Sequence, residues 1–320
     1  MPQTSPEELP STKSYHLAGI VPVAGPQMDF NFPWPDSMVP ISSDFLAIER
    51  AVLECATVGC ETIWVICHSN IQPLLKHRVG EMIQDPVWIS RKFSPYPSNY
   101  RKEIPIYYVG IHPRDEDKRD SLPWSILYGA KVAKKVCLGL SKWVAPNKYY
   151  VAFPNSVYPS QYLRKYRKDI SSKGNFFVLT DKGESVLDGK YVGFAFEESE
   201  LGKLIKYFWD QQTGKYDTSQ PKESLREEKY YTKLLPAEER YSGRYFKIEE
   251  IFAKIDLSKP TMKLEMEWYY DISSWDNLCI YLSSEERKRM LKPKLKFFSD
   301  KKWNKIGEDE TLTTYDKEEN

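Results

Sequence analysis

The sequence predicts an α/β fold, a mainly parallel twisted sheet with helices on both faces, on three observations. Short apolar runs bounded by Gly and Pro alternate with segments of helical periodicity. The runs at 17–25 and 62–67 are apolar throughout, as in strands covered on both faces. No internal repeat with a period of roughly 20–50 residues replaces that alternation.

The elements follow in order. Residues 1–14, rich in Pro, Ser, Thr and Glu, read as a disordered lead-in. Leu17-Ala-Gly-Ile-Val-Pro-Val-Ala-Gly25 reads as a buried strand ending in a loop, and 26–43 as a long Pro-containing loop. Phe45 to Val58 carries Phe45, Ile48, Val52 and Cys55 at helical spacing and stops at Gly59. Thr62 to Cys67 is a strand and Ile71 to Ile83 a helix. Ile104 to Ile111 is a strand, Trp124 to Leu140 a helix, Tyr149 to Phe153 a strand and Ser160 to Arg167 a helix. Phe176 to Leu179 and Tyr191 to Phe196 are strands, followed by a helix over Glu200 to Trp209. Residues 210–243 suit a surface insertion. After it come a short helix at Ile248 to Ile255, an aromatic-rich strand at Leu264 to Ile272 and a helix from Ser274 to Leu282. The main domain is thus 15–283, with 284–320 a charged helical extension and tail.

Composition narrows the function classes. Lys+Arg is 46 against Asp+Glu at 45, a net charge of +1, which argues against a nucleic-acid-coating surface. The basic stretch 287–302, with Phe297 and Phe298, reads as a solvated helix and tail rather than a nucleic-acid contact. No run reaches the ~18 apolar residues of a membrane span, and the N-terminus lacks a secretory pattern. Five cysteines without a Cys-x-x-Cys pair argue against zinc and a disulfide framework, so the expected location is cytoplasmic. Cys55, Cys60 and Cys67 read as small core residues. Aromatic residues make up 14% of the chain, a surplus that suits either ring stacking on a ligand or a bulky core.

The first strand-loop-helix carries the functional signal, because open α/β sheets bind ligands at the carboxyl ends of their strands. Val23, Ala24 and Gly25 open that loop, and a glycine there lets backbone amides approach a ligand. Ile20-Val-Pro-Val-Ala-Gly25, then Pro35-Asp-Ser-Met-Val-Pro-Ile41, then a helix closing on Gly59-Cys-Glu-Thr-Ile-Trp-Val-Ile66, resembles the start of the sugar-1-phosphate nucleotidyltransferases. Leu122-Pro-Trp-Ser-Ile-Leu-Tyr-Gly-Ala130 is similar to the family's base-contacting segment, which implies nucleotide contacts at Pro123, Trp124 and Gly129. Tyr150-Val-Ala-Phe-Pro-Asn-Ser-Val157 and Trp268-Tyr-Tyr-Asp-Ile-Ser-Ser-Trp275 are similar to the two metal-binding segments, which implies Asn155 and Asp271 as Mg²⁺ ligands. The same resemblance suggests Gly193 and Glu197 for the sugar. It covers roughly residues 17–282 and implies a Rossmann-like nucleotidyltransferase or GT-A fold, with an NTP and a sugar 1-phosphate as substrates.

The departures lie in charge. The family's loop presents Arg and Lys to the triphosphate, whereas Pro26-Gln-Met-Asp-Phe-Asn31 has neither and Asp36 stands near the Lys position. Asp in that place inverts the field at the phosphates. One expectation is a divergent enzyme that uses Asp36 or Asp29 with Asp271 on the metal. It would draw cations from Lys131, Lys134, Arg164 or Arg167. The alternatives are a catalytically silent binding or structural protein on the same fold, and a GT-A-type glycosyltransferase. For the latter, Asp115-Glu-Asp117 is the nearest text to an Asp-x-Asp motif and reads as a charged loop. His68 ends the second strand and could touch phosphate or ribose, beside the simpler reading of a hydrogen-bonded structural histidine.

Overall fold

The computed structural model describes residues 16–25, 35–87, 103–213, 243–257 and 260–290. The lead-in at 1–14, the loop Pro26–Asn31 with Asp29, the insertion beyond 213 and the tail from 291 lie outside the described residues. Eight strands form one sheet: β1 (Leu17–Pro22), β4 (Thr62–Cys67), β5 (Met82–Gln84), β6 (Glu103–Gly110), β7 (Lys148–Val151), β9 (Phe176–Thr180), β10 (Phe194–Glu197) and β11 (Thr261–Glu265). Their order across the sheet is β11-β9-β10-β7-β1-β4-β6-β5. Pairing is parallel between β1 and β4, β1 and β7, β4 and β6, and β9 and β11. Two small ribbons flank it: β2 (Pro40–Ser42) with β3 (Phe45–Leu46), and β8 (Ser156–Val157) with β12 (Tyr270–Asp271).

Alternation along β1 explains why helices cover both faces. Side chains of successive strand residues point to opposite faces. At Gly19, an added Cβ would lie 2.8 Å from Cys55 Sγ, on α1 (Ala47–Val58). Next to it, Ile20 meets Gly129 of the long helix at Leu122–Leu140: a Cβ on Gly129 would lie 3.2 Å from Ile20 Cγ2 and 2.6 Å from Ile66 Cγ1. Each face is therefore closed by a glycine against a side chain, and Cys55, Cys60 and Cys67 are fully buried as expected of small core residues.

Several boundaries differ from the sequence expectation. Phe45 and Leu46 pair with β2, so α1 begins only at Ala47. The helix expected over 71–83 is α2 (Gln72–Val79); Gly80, at φ 87°, ends it, and Met82–Gln84 turns back as an antiparallel edge strand on β6. Pro113–Arg119, expected as a charged loop, is helix α3: Pro113 fits the first turn and His112 Nδ1 caps the Arg114 amide at 3.2 Å. The long helix Leu122–Leu140 is α4. Gln161–Tyr166 is a 3₁₀ turn leading into α5 (Arg167–Ser171), and α6 spans Glu198–Thr213. The strand expected over 264–272 is two: β11 ends at Glu265, and the chain crosses to pair Tyr270 and Asp271 with β8. The 191–196 strand begins at Phe194 and runs antiparallel to both neighbours. Helix α7 (Ile248–Phe252), α8 (Trp275–Ser283) and the turn α9 (Glu286–Arg289) complete the described chain.

The end of α1 rests on one side chain. Arg167 Nε donates to the Thr57 carbonyl at 2.7 Å and Nη2 to the Ala56 carbonyl at 2.6 Å, satisfying two acceptors of the last helical turn. The same guanidinium binds Asp85 bidentately at 3.0 and 2.6 Å, and Asp85 is 2% exposed. Arg167→Ala should cost about 3 kcal/mol in urea unfolding, with Arg167→Lys recovering only part because an ammonium cannot reproduce the fork. Arg167, expected as a possible phosphate cation, is thus committed to structure.

Candidate functional site

The parallel register brings one set of loops to a common edge. The residues after β1 (Val23–Gly25), β4 (His68), β6 (Ile111), β7 (Ala152–Asn155), β9 (Asp181) and β11 (Met266) all leave at the carboxyl ends of these strands. Because β10 is antiparallel, its start, with Gly193 just before it, faces the same edge.

Val23 and Ala24 both donate backbone amides to the Ile66 carbonyl at 2.8 Å, so the chain bends across β4 as it leaves β1. Ser125 Oγ of α4 donates to the Ala24 carbonyl at 2.7 Å, and the added Cβ of Gly25 would lie 3.4 Å from Leu122. The backbone at Gly25 has φ 151°, where a side chain would be strained. The two segments singled out in the sequence, Val23–Gly25 and the start of α4 with Pro123, therefore do meet. Within α4, however, Trp124 and Gly129 turn elsewhere. Trp124 is 2% exposed and packs on Phe208 at 5.1 Å and Trp209 at 5.9 Å. Gly129 is a packing glycine against β1 and β4. Both sit in helix packing, where they are buried.

Asn155 and Asp271 are neighbours. The Ile272 amide donates to the Asn155 carbonyl at 2.9 Å, and Asp271 pairs with Ser156 across the β8–β12 ribbon. Asn155 is 4% exposed, and neither Nδ2 nor Oδ1 has a hydrogen-bond partner among the described residues. A buried carboxamide left unsatisfied is costly. Asp271 is half-buried, with Oδ1 accepting the Ser273 amide at 2.8 Å. Its field reaches Tyr269 and Tyr191: burial first, then the Asp271 charge, raises both phenols above their ordinary range. One carboxylate and one free carboxamide oxygen fit Mg²⁺, which takes one or two protein ligands and completes its shell with phosphate oxygens and water. No group of three or more His, Cys, Asp or Glu suited to a metal occurs among the described residues.

Gly193 also lies at this edge, donating its amide to Tyr158 Oη at 3.1 Å, but over a buried cluster: an added Cβ would be 2.3 Å from Tyr150 Oη and 2.7 Å from Glu54 Oε1. Glu197 is placed at the opposite end. It is opposite Lys148, the first residue of β7, and accepts the Gly174 amide at 2.6 Å. Reversal of β10 carries it away from Gly25, so the two expected sugar contacts do not share a pocket. Asp36 begins a 3₁₀ turn, Asp36–Met38, packed against α1.

Lys134 pairs with Glu198, and Lys131 and Arg164 lie on the surface. His68, which sequence reading left between ligand contact and structural bond, is held by carboxylates: Nε2 is 3.3 Å from Asp120 Oδ2 and Nδ1 3.7 Å from Glu116 Oε1. The Asp120 hydrogen bond, against the opposing effect of burial, raises its pKa above 6.5. A raised folded pKa stabilises fully below the unfolded value and loses that contribution as pH rises through the folded one. The melting-temperature gap between the wild type and His68→Gln should therefore be widest below about pH 6.5, the ordinary histidine value, and narrow as the pH rises above it. A gap that widens with pH would refute the pairing.

No helix among the described residues is long and apolar enough to cross a membrane. No protein-family model matches the chain, and no curated protein matches its sequence. Solved structures do match its fold. A Bacillus anthracis protein assigned as a glucose-1-phosphate thymidylyltransferase, in complex with a sucrose, aligns at TM-score 0.52 and 11% identity over 88% of this chain and 98% of that one. A UDP-glucose pyrophosphorylase complexed with UDP-glucose aligns at TM-score 0.50 and 12% identity over 85% and 99%. An eight-stranded mixed sheet in this order, matched over nearly the whole length of both structures, is the sugar-1-phosphate nucleotidyltransferase fold.

Proposed function

We propose that the protein is a divergent nucleotidyltransferase that transfers a nucleotidyl group from an NTP to a sugar 1-phosphate with Mg²⁺. The observation that carries this reading is the buried, unpartnered Asn155 carboxamide at the ligand edge of the sheet, on a segment whose backbone pairs with that of Asp271 and Ile272. In the proposed reaction a phosphate oxygen of the sugar 1-phosphate attacks the α-phosphorus in line. One P–O bond forms as the α–β P–O bond breaks, and pyrophosphate leaves with the electron pair. The backbone at Val23–Gly25 would take the nucleotide. Asn155 Oδ1 and the Asp271 carboxylate would hold Mg²⁺, which would supply positive charge at the phosphates. Asp36 remains a candidate for the catalytic group, and Gly193 for a sugar contact.

A second reading, a catalytically silent binding protein on this fold, is favoured by the Glu116 and Asp120 carboxylates around His68, which oppose a triphosphate approaching that edge. The test is a thermal-shift screen of the four NTPs with and without Mg²⁺, followed by a pyrophosphate-release assay with sugar 1-phosphates. A rise in Tm with one NTP that needs Mg²⁺, and pyrophosphate formed only with a sugar 1-phosphate, is the expected result. Binding without pyrophosphate would leave the silent reading. Absence of any NTP binding at millimolar ligand would remove nucleotide chemistry. Nucleotide-sugar consumption without pyrophosphate would point instead to a glycosyltransferase.

A further inference from the structure

The end of α4 carries apolar side chains that the fold leaves uncovered. Nine large hydrophobic side chains are exposed among the described residues, and four of them, Val136, Leu138, Leu140 and Val144, fall in one stretch. Leu140 is 76% exposed. Val132, Val136 and Leu140 are spaced four apart and form one row along α4, and Lys131, Lys135 and Leu138 form the next row. A 3₁₀ turn, Lys142–Val144, packs on the end of the helix and adds Lys142 and Val144. Lys131, Lys135 and Lys142 are exposed, and none of them pairs with a carboxylate among the described residues. Glu198, which α6 brings to α4, is taken by Lys134. We propose that this face binds the surface of an anionic lipid bilayer, its aliphatic side chains entering the headgroup layer and its lysines meeting the lipid phosphates and carboxylates.

Charge selects this occupant. The face carries one sign, so a second copy packed on it about a two-fold axis would bring lysines towards lysines. An anionic bilayer is complementary at every one of them. Composition points the same way. Protein interfaces are built on Tyr, Trp and Arg and are poor in Lys, whereas lysine beside leucine is the pattern of helices that lie on a membrane. The long lysine stems let the ammonium groups stay at the headgroups while the aliphatic side chains reach deeper. Position keeps the two ends of the molecule apart. Helix α4 starts at the carboxyl edge of the sheet, where Ser125 Oγ meets the Ala24 carbonyl. Its 19 residues, about 28 Å in length, carry Leu140 to the opposite edge. There the Asn147 amide donates to the His16 carbonyl at 3.0 Å, just before β1. A bilayer at that edge leaves the edge of Asn155 open. The contact is with one face of the bilayer, since no helix among the described residues is long and apolar enough to cross it.

The test is co-sedimentation of the full-length protein with phosphatidylcholine vesicles, with and without about 30% phosphatidylserine. Binding to the phosphatidylserine vesicles should be at least 10-fold tighter, and the gain should shrink as salt is raised. Leu140→Ser, and the double variant Lys131→Gln, Lys135→Gln, should each weaken that binding at least 10-fold. All three side chains are exposed, so both variants should keep the wild-type Tm. A control double variant, Lys182→Gln, Lys263→Gln, removes two exposed lysines at the β9–β11 end of the sheet and should bind as the wild type does, which separates the face from overall charge. Equal binding to both vesicle types, no binding to either, or binding untouched by the Leu140 and Lys131–Lys135 variants would each overturn the proposal. So would a dimer seen by sedimentation velocity without vesicles and lost in Leu140→Ser, which would assign the face to a second copy of the chain.

Discussion

Glu54→Ala is expected to destabilise the protein by about 3–5 kcal/mol, the cost of leaving a buried charge without its partner. Glu54 is fully buried and accepts three hydrogen bonds: from Arg50 Nη1 at 2.7 Å, Tyr150 Oη at 2.6 Å and Tyr158 Oη at 2.7 Å. Burial is the largest effect on Arg50 and would lower its pKa, yet the pKa is raised, because Glu54 and Tyr158 together outweigh desolvation. Removing the carboxylate strands the guanidinium, which then has the Phe153 carbonyl and the Tyr158 ring, 4.6 Å away, as its remaining partners. A domain of this size should lose roughly 10 °C in Tm. Glu54→Gln keeps an acceptor for the tyrosines but not the charge and should fall between. The double variant Arg50→Met, Glu54→Met should recover part of the loss, since it removes the stranded charge but leaves the Tyr150 and Tyr158 hydroxyls without their acceptor. Urea unfolding of the four proteins measures this. Equal losses in Glu54→Ala and the double variant would show that packing, not the stranded charge, sets the cost.

The parallel core was legible because its strands are apolar on both faces. Thr62–Cys67 appears over its full expected length, and the expected run from Leu17 shortens only where Val23 and Ala24 bend onto Ile66. Elements decided by partners rather than periodicity were not legible. Pro113–Arg119 has no apolar stripe and owes its helix to a proline, a histidine cap and the Asp115–Arg119 pair. The reversal of β10 depends on pairing with β7 and β9, which a four-residue apolar run does not encode, and Glu197 was misplaced with it. The aromatic surplus suited either ring stacking on a ligand or a bulky core. Much of it is core, as in Phe194 with Phe252 at 5.0 Å and Trp124 with Phe208 at 5.1 Å. That the segment of Asn155 lies against that of Asp271 was suggested only by family resemblance, because 116 positions separate two residues that neither spacing nor periodicity connects.

Asp271→Ala should abolish Mg²⁺-dependent turnover, by about 10²-fold or more, while leaving the fold intact. The carboxylate is half-buried at the end of a two-residue ribbon, so its removal opens no core cavity. Its bond from the Ser273 amide, at 2.8 Å, caps a local turn and is worth about 1 kcal/mol. Asp271→Asn separates charge from shape: it keeps an oxygen for the turn but would leave two carboxamides, with Asn155, and no anion to hold a divalent cation. If the charge matters, Asn should be as inactive as Ala, and raising Mg²⁺ should restore neither. Asn155→Ala tests the other half of the pair. Its carboxamide is buried without a partner, so in the absence of ligand the substitution removes a strained polar group and should raise stability or leave it unchanged, while Mg²⁺-dependent NTP binding falls. A loss of stability in Asn155→Ala with NTP binding intact would assign the residue to packing and leave Asp271 without a partner for the metal.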